Sequence, residues 1–535
     1  MKRVISILLL FFISPFSGTA WSQSEKNPLD TVNRALEAMG GVDAVSRIKS
    51  IRIKGENRAW EPEQSVVPDG EMRLLGDSSF VLLRDLGSDK ARINWDRKLV
   101  YPNPREYIFT EIISGGVGYV QGIDTTSRTK QSLNNNPPAH AMSGFRVATA
   151  LRELKRASPA LLLEMRTNAK KLSAMPDQEA GGKRLSAVNY QGEDQVFTVL
   201  FDPDTRLPAR IRTLDYDNIH GDSNFDLVLS DWREVGGVKL AYQQVYQLNG
   251  RDIAHIKLEE VSLNPPLAPT DFEIPAAIKA SAPQPAKANV PYQWVIRRQY
   301  LGVYLDSDRI SFDPEAGSGL RLVELAPGVQ QVVGGTHNSL VVEMPTYLVV
   351  FDAPVNEGQS QWTIDAAKAK YPGKPIKYLV MTHHHMDHAG GARTYVAEGA
   401  TIVLGKGNGE HFQKIFSAPH KVDQDALQRS PRKPEIMEVA DKKLLTDGQR
   451  ELGIYRIENV HATDMVIGYV ADARLGFVAD LWSPGRDKLE GKPTPGQASL
   501  VAAVKKAGIA PERFAGGHGT VAQYAELEQF VAKSQ

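Results

Sequence analysis

The sequence predicts two domains of different class: an antiparallel β-rich domain led by a helix, then a layered α/β domain. Three observations carry that expectation. The chain has 535 residues, beyond the size at which one hydrophobic core keeps growing. Much of its first half alternates apolar and polar residues with the period of a half-buried strand. Its second half alternates strands with helices, the pattern of α/β layers rather than of sheets alone.

Taken in order, the chain opens on Lys2 and Arg3, an apolar run from Val4 to Ile13, and the small residues Ser17, Gly18, Thr19 and Ala20. This is the pattern of an export signal cleaved after Ala20 or shortly later, so residues 1–23 are set aside as a signal peptide. The apolar run is too short to span a bilayer. A periplasmic or secreted protein is expected, with no integral membrane span after cleavage.

Asn27 as N-cap and Pro28 in the first turn start a helix with Leu29, Val32, Leu36 and Met39 on one face, and Gly40-Gly41 stops it. The segments Ser50 to Lys54, Gln195 to Phe201, Phe225 to Asp231 and Ile253 to Val261 read as strands. Between them lie turns such as Asp202-Pro203-Asp204, Gly236-Gly237 and Asn249-Gly250. Val147 to Leu163 reads as a helix. The β-rich domain is thus expected over residues 25–280. The Ala- and Pro-rich stretch from Ser281 to Val290 marks a linker, taken as residues 281–300. The α/β domain, 301–535, follows. It is expected to hold an apolar strand region from Leu340 to Phe351, a helix Gln361 to Tyr371, a strand Ile376 to Met381, a helix His388 to Glu398 and a strand Thr401 to Leu404.

Composition excludes several functions. Lys plus Arg equals Asp plus Glu at 63 each, and no basic stripe stands ready to neutralise a phosphate backbone, so nucleic acid is not an expected partner. There is no cysteine, which removes disulfides, thiolate nucleophiles and thiolate metal sites together. Any metal ion must be held by His, Asp or Glu.

The chemistry is concentrated in Thr382-His383-His384-His385-Met386-Asp387-His388-Ala389-Gly390-Gly391. Alternate residues of an extended segment point the same way, so His383 and His385 can share one cation while Asp387 and His388 turn toward a second. His384 points away from that pair and is read as a packing or solvent-facing residue. The two glycines let the following helix pack closely on the loop. Three further candidates follow apolar strands where the chain turns, the positions from which a scaffold presents function: His461, Asp480 and His518. His337 and Asn338, in the loop before the strand Ser339 to Met344, are read as loop-capping residues near the cleft, either of which could touch substrate. Asp352 is read either as a turn residue before Pro354 or as a hydrogen-bond partner for a ligand histidine.

The motif His383-x-His385-x-Asp387-His388, followed in order by His461, Asp480 and His518, resembles the metallo-β-lactamase fold superfamily over about residues 318–535. The resemblance implies an αβ/βα sandwich with a dinuclear site at one edge. It assigns His383, His385 and His461 to the first metal, Asp387, His388 and His518 to the second, and Asp480 as the bridge. Two divalent ions, most simply zinc, would then share a water of lowered pKa as the hydrolytic nucleophile, with Asp387 orienting it and accepting its proton. The true β-lactamases carry Cys or Ser in the place of Asp480, and Ala462-Thr463-Asp464-Met465 departs from the Thr-Pro-Gly-His run of glyoxalase II. The expected activity is hydrolysis of a small-molecule ester, lactone, thioester or amide, with β-lactamase action a weaker alternative. Substrate-binding residues are not legible.

The order of helix, Gly-Gly and many strands in the first domain, with Phe201-Asp202-Pro203-Asp204-Thr205-Arg206-Leu207-Pro208 and Trp232-Arg233-Glu234-Val235-Gly236-Gly237-Val238, resembles the half-barrel of periplasmic lipoprotein carriers over about residues 25–275. The resemblance implies a curved sheet able to hold an apolar ligand, and hence a lipid-like carrier as the alternative function. A scaffold packed on the hydrolase domain is the plainer expectation.

Overall fold

The computed structural model describes residues 27–101, 104–124, 137–288, 290–301, 319–335, 337–446 and 448–533. The expected signal peptide lies outside the described residues, among which no helix is long and apolar enough to cross a membrane.

The first domain is one antiparallel sheet of thirteen strands behind a leading helix. The helix Pro28–Ala38 forms where expected, with the Asn27 side chain accepting from Leu29 N and Val32, Ala35 and Leu36 buried. Those residues pack with Leu161, Leu162 and Met165 onto Val199 and Phe201 of the sheet. Strand order follows the chain in two meanders, which meet where Ser50–Glu61 pairs with Arg251–Leu263. The helix expected from Val147 to Leu163 is instead two, Gly144–Arg156 and Leu161–Thr167. Pro159 explains the break, since it drives the residue before it out of the helical region and cannot donate a hydrogen bond.

The second domain stacks a seven-stranded sheet on a six-stranded one. Val342, Val349, Phe351 and Val380 of the first meet Leu452, Ile454, Phe477 and Ala515 of the second in one core. The helices Glu357–Lys370 and Gly409–Ser417 cover the outer face of the larger sheet through Ile364, Ala367, Phe412 and Ile415. The helices Pro495–Ala507 and Tyr524–Ala532 cover the smaller through Leu500, Val504 and Leu527. The result is the expected αβ/βα layering.

Part of the stretch read as a linker is structured: Tyr292–Leu301 is a helix with Tyr292, Val295 and Ile296 buried. Composition could not show this, because the Ala/Pro run ends before the helix starts. Its Arg297 reaches back to the first domain, placing its guanidinium 2.9 Å from Glu63 and 3.1 Å from Asp217, and also on Glu61. The second domain adds its own ties. Asp69 meets His411 at 2.9 Å and Lys414 at 3.1 Å, and Asp222 accepts from Lys421 N and Val422 N.

Burial raises the Glu63 carboxyl to about 8, against the pull of Arg297. An acid raised in the fold contributes stability that is complete below its unfolded value and lost as pH climbs through the folded one. Stability attributable to Glu63 therefore falls between about pH 4.5 and about pH 8. Glu63→Gln should flatten that decline, as read from urea-unfolding midpoints of wild type and variant across this range.

Candidate metal centre

The strand Ile376–Val380 delivers its chain into the loop Thr382 to His385, and the short helix Met386–Ala389 follows at once. The helix expected from His388 to Glu398 is interrupted after Ala389 and resumes at Ala392–Glu398. Close packing dictates the interruption. A Cβ on Gly390 would stand 2.0 Å from the Val355 carbonyl oxygen, and one on Gly391 would stand 2.1 Å from Ser360 Oγ. Both glycines let the metal-loop backbone lie against the segment after Phe351.

Five strand ends bring their residues to this loop. Asp480 follows Leu475–Val478, His518 follows Arg513–Gly516, His461 lies beyond Glu451–Arg456, Asp352 follows Leu348–Phe351, and His337 precedes Ser339–Glu343. The shared carboxylate of Asp480 lies between two sets of imidazoles. Its Oδ2 is 3.1 Å from His383 Nε2 and 2.9 Å from His461 Nε2. Its Oδ1 is 2.6 Å from His518 Nε2 and 3.3 Å from His388 Nε2. His385 joins the first set, its Nδ1 standing 3.0 Å from His461 Nε2. Two four-residue groups result, each with ligand atoms within 4.8 Å of one another: His383, His385, His461 and Asp480; and His337, Asp387, His388 and His518.

Hydrogen bonds from outside select which imidazole nitrogen faces inward. His385 Nε2 donates to the Ser65 carbonyl at 2.8 Å, leaving Nδ1 for the centre. His383 Nδ1 is 3.1 Å from Thr382 Oγ1, which itself donates to Asp352 Oδ2 at 2.9 Å. His388 Nδ1 donates to the same Asp352 oxygen at 2.9 Å, and Thr382 N donates to Asp352 Oδ1 at 2.7 Å. Asp352 is wholly buried, so it acts as a hydrogen-bond partner of a ligand candidate and not only as a turn residue.

Burial holds His383 down at about 4 and His385 well below the usual imidazole value, keeping both neutral. Burial works the other way on Asp480 and Asp387, yet neighbouring histidines hold both carboxyls well below the usual range. Neutral imidazole and ionised carboxylate are the forms that bind a divalent cation. The contact of His383 Nε2 with Asp480 is too poorly aligned to be a hydrogen bond, as expected of two donors aimed at a common point. By donor type and spacing the residues fit two cations. Glu63, Asp217 and His220 are also mutually close, but Arg297 already compensates those carboxylates.

All seven expected residues thus meet at one place. His384 belongs to neither group: it is buried, with Nδ1 2.8 Å from Asp464 Oδ1. Asn338 caps loops as expected, donating to the Gly516 and Gly519 carbonyls. His337 does not; it faces Asp387 Oδ2 at 3.2 Å. The first domain supplies residues that no sequence signal marked. Gln64 donates to Asp387 Oδ1 at 2.7 Å, and Tyr101 donates to Gln64 Oε1. Arg73 holds both the Gln64 carbonyl and, at 2.6 Å, the His461 carbonyl.

Residues 332–522 match the Metallo-beta-lactamase superfamily. Among curated proteins, none matches the chain. Solved structures similar to it include a metallo-beta-lactamase from Hirschia baltica, at 19% identity and TM-score 0.32, over 41% of this chain and 98% of that one. The stereoselective inverting sec-alkylsulfatase Pisa1 from Pseudomonas sp. is similar at 17% identity and TM-score 0.31, over 46% and 43% of the two chains. A flavodiiron protein from Giardia intestinalis is similar at 18% identity and TM-score 0.30, over 40% of this chain, which spans 58% of that protein's length.

Asp352 contacts no cation position directly, yet it sets the inward nitrogen of His388 and, through Thr382, of His383. Asp352→Ala should lower divalent-cation affinity by about 10- to 100-fold. A metal-chelator competition titration on folded protein measures this.

Proposed function

We propose that this chain, with a metallo-beta-lactamase superfamily domain at residues 332–522, is an exported hydrolase of small esters, lactones, thioesters or amides that works with two divalent cations, most simply zinc. One observation carries the reading: the Asp480 carboxylate turns one oxygen to His383 and His461 and the other to His388 and His518. A two-cation centre uses both oxygens of one acid in this way. His383, His385 and His461 would hold one ion and Asp387, His388 and His518 the other, with Asp480 between them. When bound, such a pair lowers the pKa of water and polarises a scissile carbonyl.

The protein's own groups do the remaining work. Asp387 has one oxygen held by Gln64 and the other beside His337, so its carboxylate is oriented before substrate arrives and can accept the proton of the attacking water. The outer hydrogen bonds from Ser65, Thr382 and Asp352 hold the imidazoles still, which shortens the reorganisation needed at the moment of reaction. Asp387, Asp480, His461 and His518 keep some solvent exposure, so the centre is open on that side.

The lipid-carrier alternative is supported less. The cavity under the first domain's helices, lined by Met39, Ile53, Leu162, Trp232 and Leu258, amounts to about 70 Å³, well under the several hundred Å³ of ordinary ligand pockets. Gln64, Ser65 and Arg73 instead tie that domain to the centre, which favours a scaffold that shapes the hydrolase.

Purified protein should contain close to two metal ions per chain and lose hydrolysis of an ester and lactone panel on chelation. Asp480→Ala and His385→Ala should each reduce turnover by at least about 100-fold, the loss expected when a charge-stabilising group leaves a hydrolytic site. Full turnover by both variants would sink the assignment.

A further inference from the structure

We propose that His337 is a protein ligand of the second cation position, so that the two positions differ in donor number and in the metal each prefers. This rests on the two-cation reading above and adds to it a residue that the family motif does not contain.

Four observations place His337 there. Its Nε2 lies 3.2 Å from Asp387 Oδ2, the one oxygen of that carboxylate not held by Gln64. One ligand atom from each of His337, Asp387, His388 and His518 falls within a 4.8 Å circle. The ring stands edge-on to its neighbours, with centroids 4.5 Å from His518 and 5.2 Å from His388. Imidazoles that surround a common point take this arrangement, with their edges turned to one another. Finally, the backbone that carries it is fixed. Gln359 Nε2 donates to the His337 carbonyl at 2.8 Å, and Asn338 N donates to the Gly517 carbonyl at 2.7 Å. The Asn338 side chain adds bonds to Gly516 and Gly519. The loop bearing His337 is therefore stitched to the loop bearing His518, and the two rings are delivered together.

Donor number then separates the positions. The first has three imidazoles, His383, His385 and His461, plus Asp480 Oδ2. Four protein donors and the shared water would give this position five neighbours, a number that catalytic zinc accepts. The second has three imidazoles, His337, His388 and His518, plus Asp387 Oδ2 and Asp480 Oδ1. Five protein donors overfill a tetrahedron and, with the shared water, would make up an octahedral number, which suits manganese, iron or cobalt(II). The second position is thus the one that discriminates between metals.

The test uses the full chain, stripped of metal and titrated with Co²⁺, whose visible absorption weakens as coordination number rises. Wild type should bind two Co²⁺ per chain, one with the stronger absorption of a five-coordinate ion and one with the weak absorption of a six-coordinate ion. His337→Ala and His337→Gln should bind the second ion at least about 10-fold more weakly, with its absorption strengthened and that of the first ion unchanged. Thermal unfolding of the metal-free variants checks their fold. X-ray absorption on Co²⁺-loaded wild type counts imidazole neighbours through their multiple scattering, without any substitution: six imidazoles for two ions support the inference and five overturn it. Variants that bind the second Co²⁺ with wild-type affinity and spectrum overturn the role of His337 alone. A wild type that takes only one Co²⁺ overturns the two-cation reading and this inference together.

Discussion

The arrangement at the centre depends on one constraint: the Asp480 carboxylate is surrounded by imidazoles in a largely buried place. Burial disfavours charge on His383, His385 and His388, Asp480 favours it on His383 and His388, and the balance differs by position. His383 and His385 are pushed down by burial, while His388, between two carboxylates, is held well above the usual imidazole value although burial opposes this. A cluster of that kind holds its shape only if every outward-facing nitrogen has its own partner, since an unsatisfied buried donor costs about 1–3 kcal/mol. Asp352, Thr382 and the Ser65 carbonyl are those partners.

One of the partners comes from the other domain, and this alters what the first domain is for. The Ser65 carbonyl fixes the tautomer of His385 across 320 positions of sequence. Arg73 links the Gln64 carbonyl to the His461 carbonyl and Gln64 itself reaches Asp387, so the segment between Ser50–Glu61 and Arg73–Asp85 is tied at three points to residues around the centre. Arg297 adds a buried anchor on Glu61, Glu63 and Asp217. A guanidinium among three carboxylates contributes little net stability against apolar packing, but removing one partner from such a network leaves charge uncompensated in the interior. The contact between domains is therefore specific in register, and the donor geometry of the centre inherits that register.

The parts of the fold and site legible from sequence are those written locally. His383, His385, Asp387 and His388 fall within one strand-to-helix turn, where spacing alone implies convergence, and Asn27-Pro28 and Gly40-Gly41 bound a helix by chemistry that acts over a few residues. His461, Asp480 and His518 were findable because each follows an apolar strand. Gln64 and Tyr101 carry no such mark. Their relation to Asp387 exists only across a domain contact, and a glutamine in the polar run Pro62-Glu63-Gln64-Ser65 reads as a turn in any sequence. His384 illustrates the same limit: alternation shows that it points away from its neighbours, but its partner Asp464 lies 80 residues on. The helix Tyr292–Leu301 was hidden by the composition of the segment before it.

Backbone conformation explains why two of the acids must be aspartates. Asp352 has φ of +61° and Asp480 has φ of +55°, in the left-handed region that few residues other than glycine, asparagine and aspartate tolerate. Each lies just past the end of a strand, where the left-handed turn swings a short side chain back toward the neighbouring strand ends. A glutamate would meet the same backbone restriction less well and would carry its carboxylate about one bond further from the Cα. Glycine and asparagine accept the backbone but lack the charge that His388, His461 and His518 answer. Local strain of this kind survives where surrounding contacts overdetermine it, and here the contacts are the imidazoles themselves. The turn places the carboxylate, and the carboxylate's partners hold the turn.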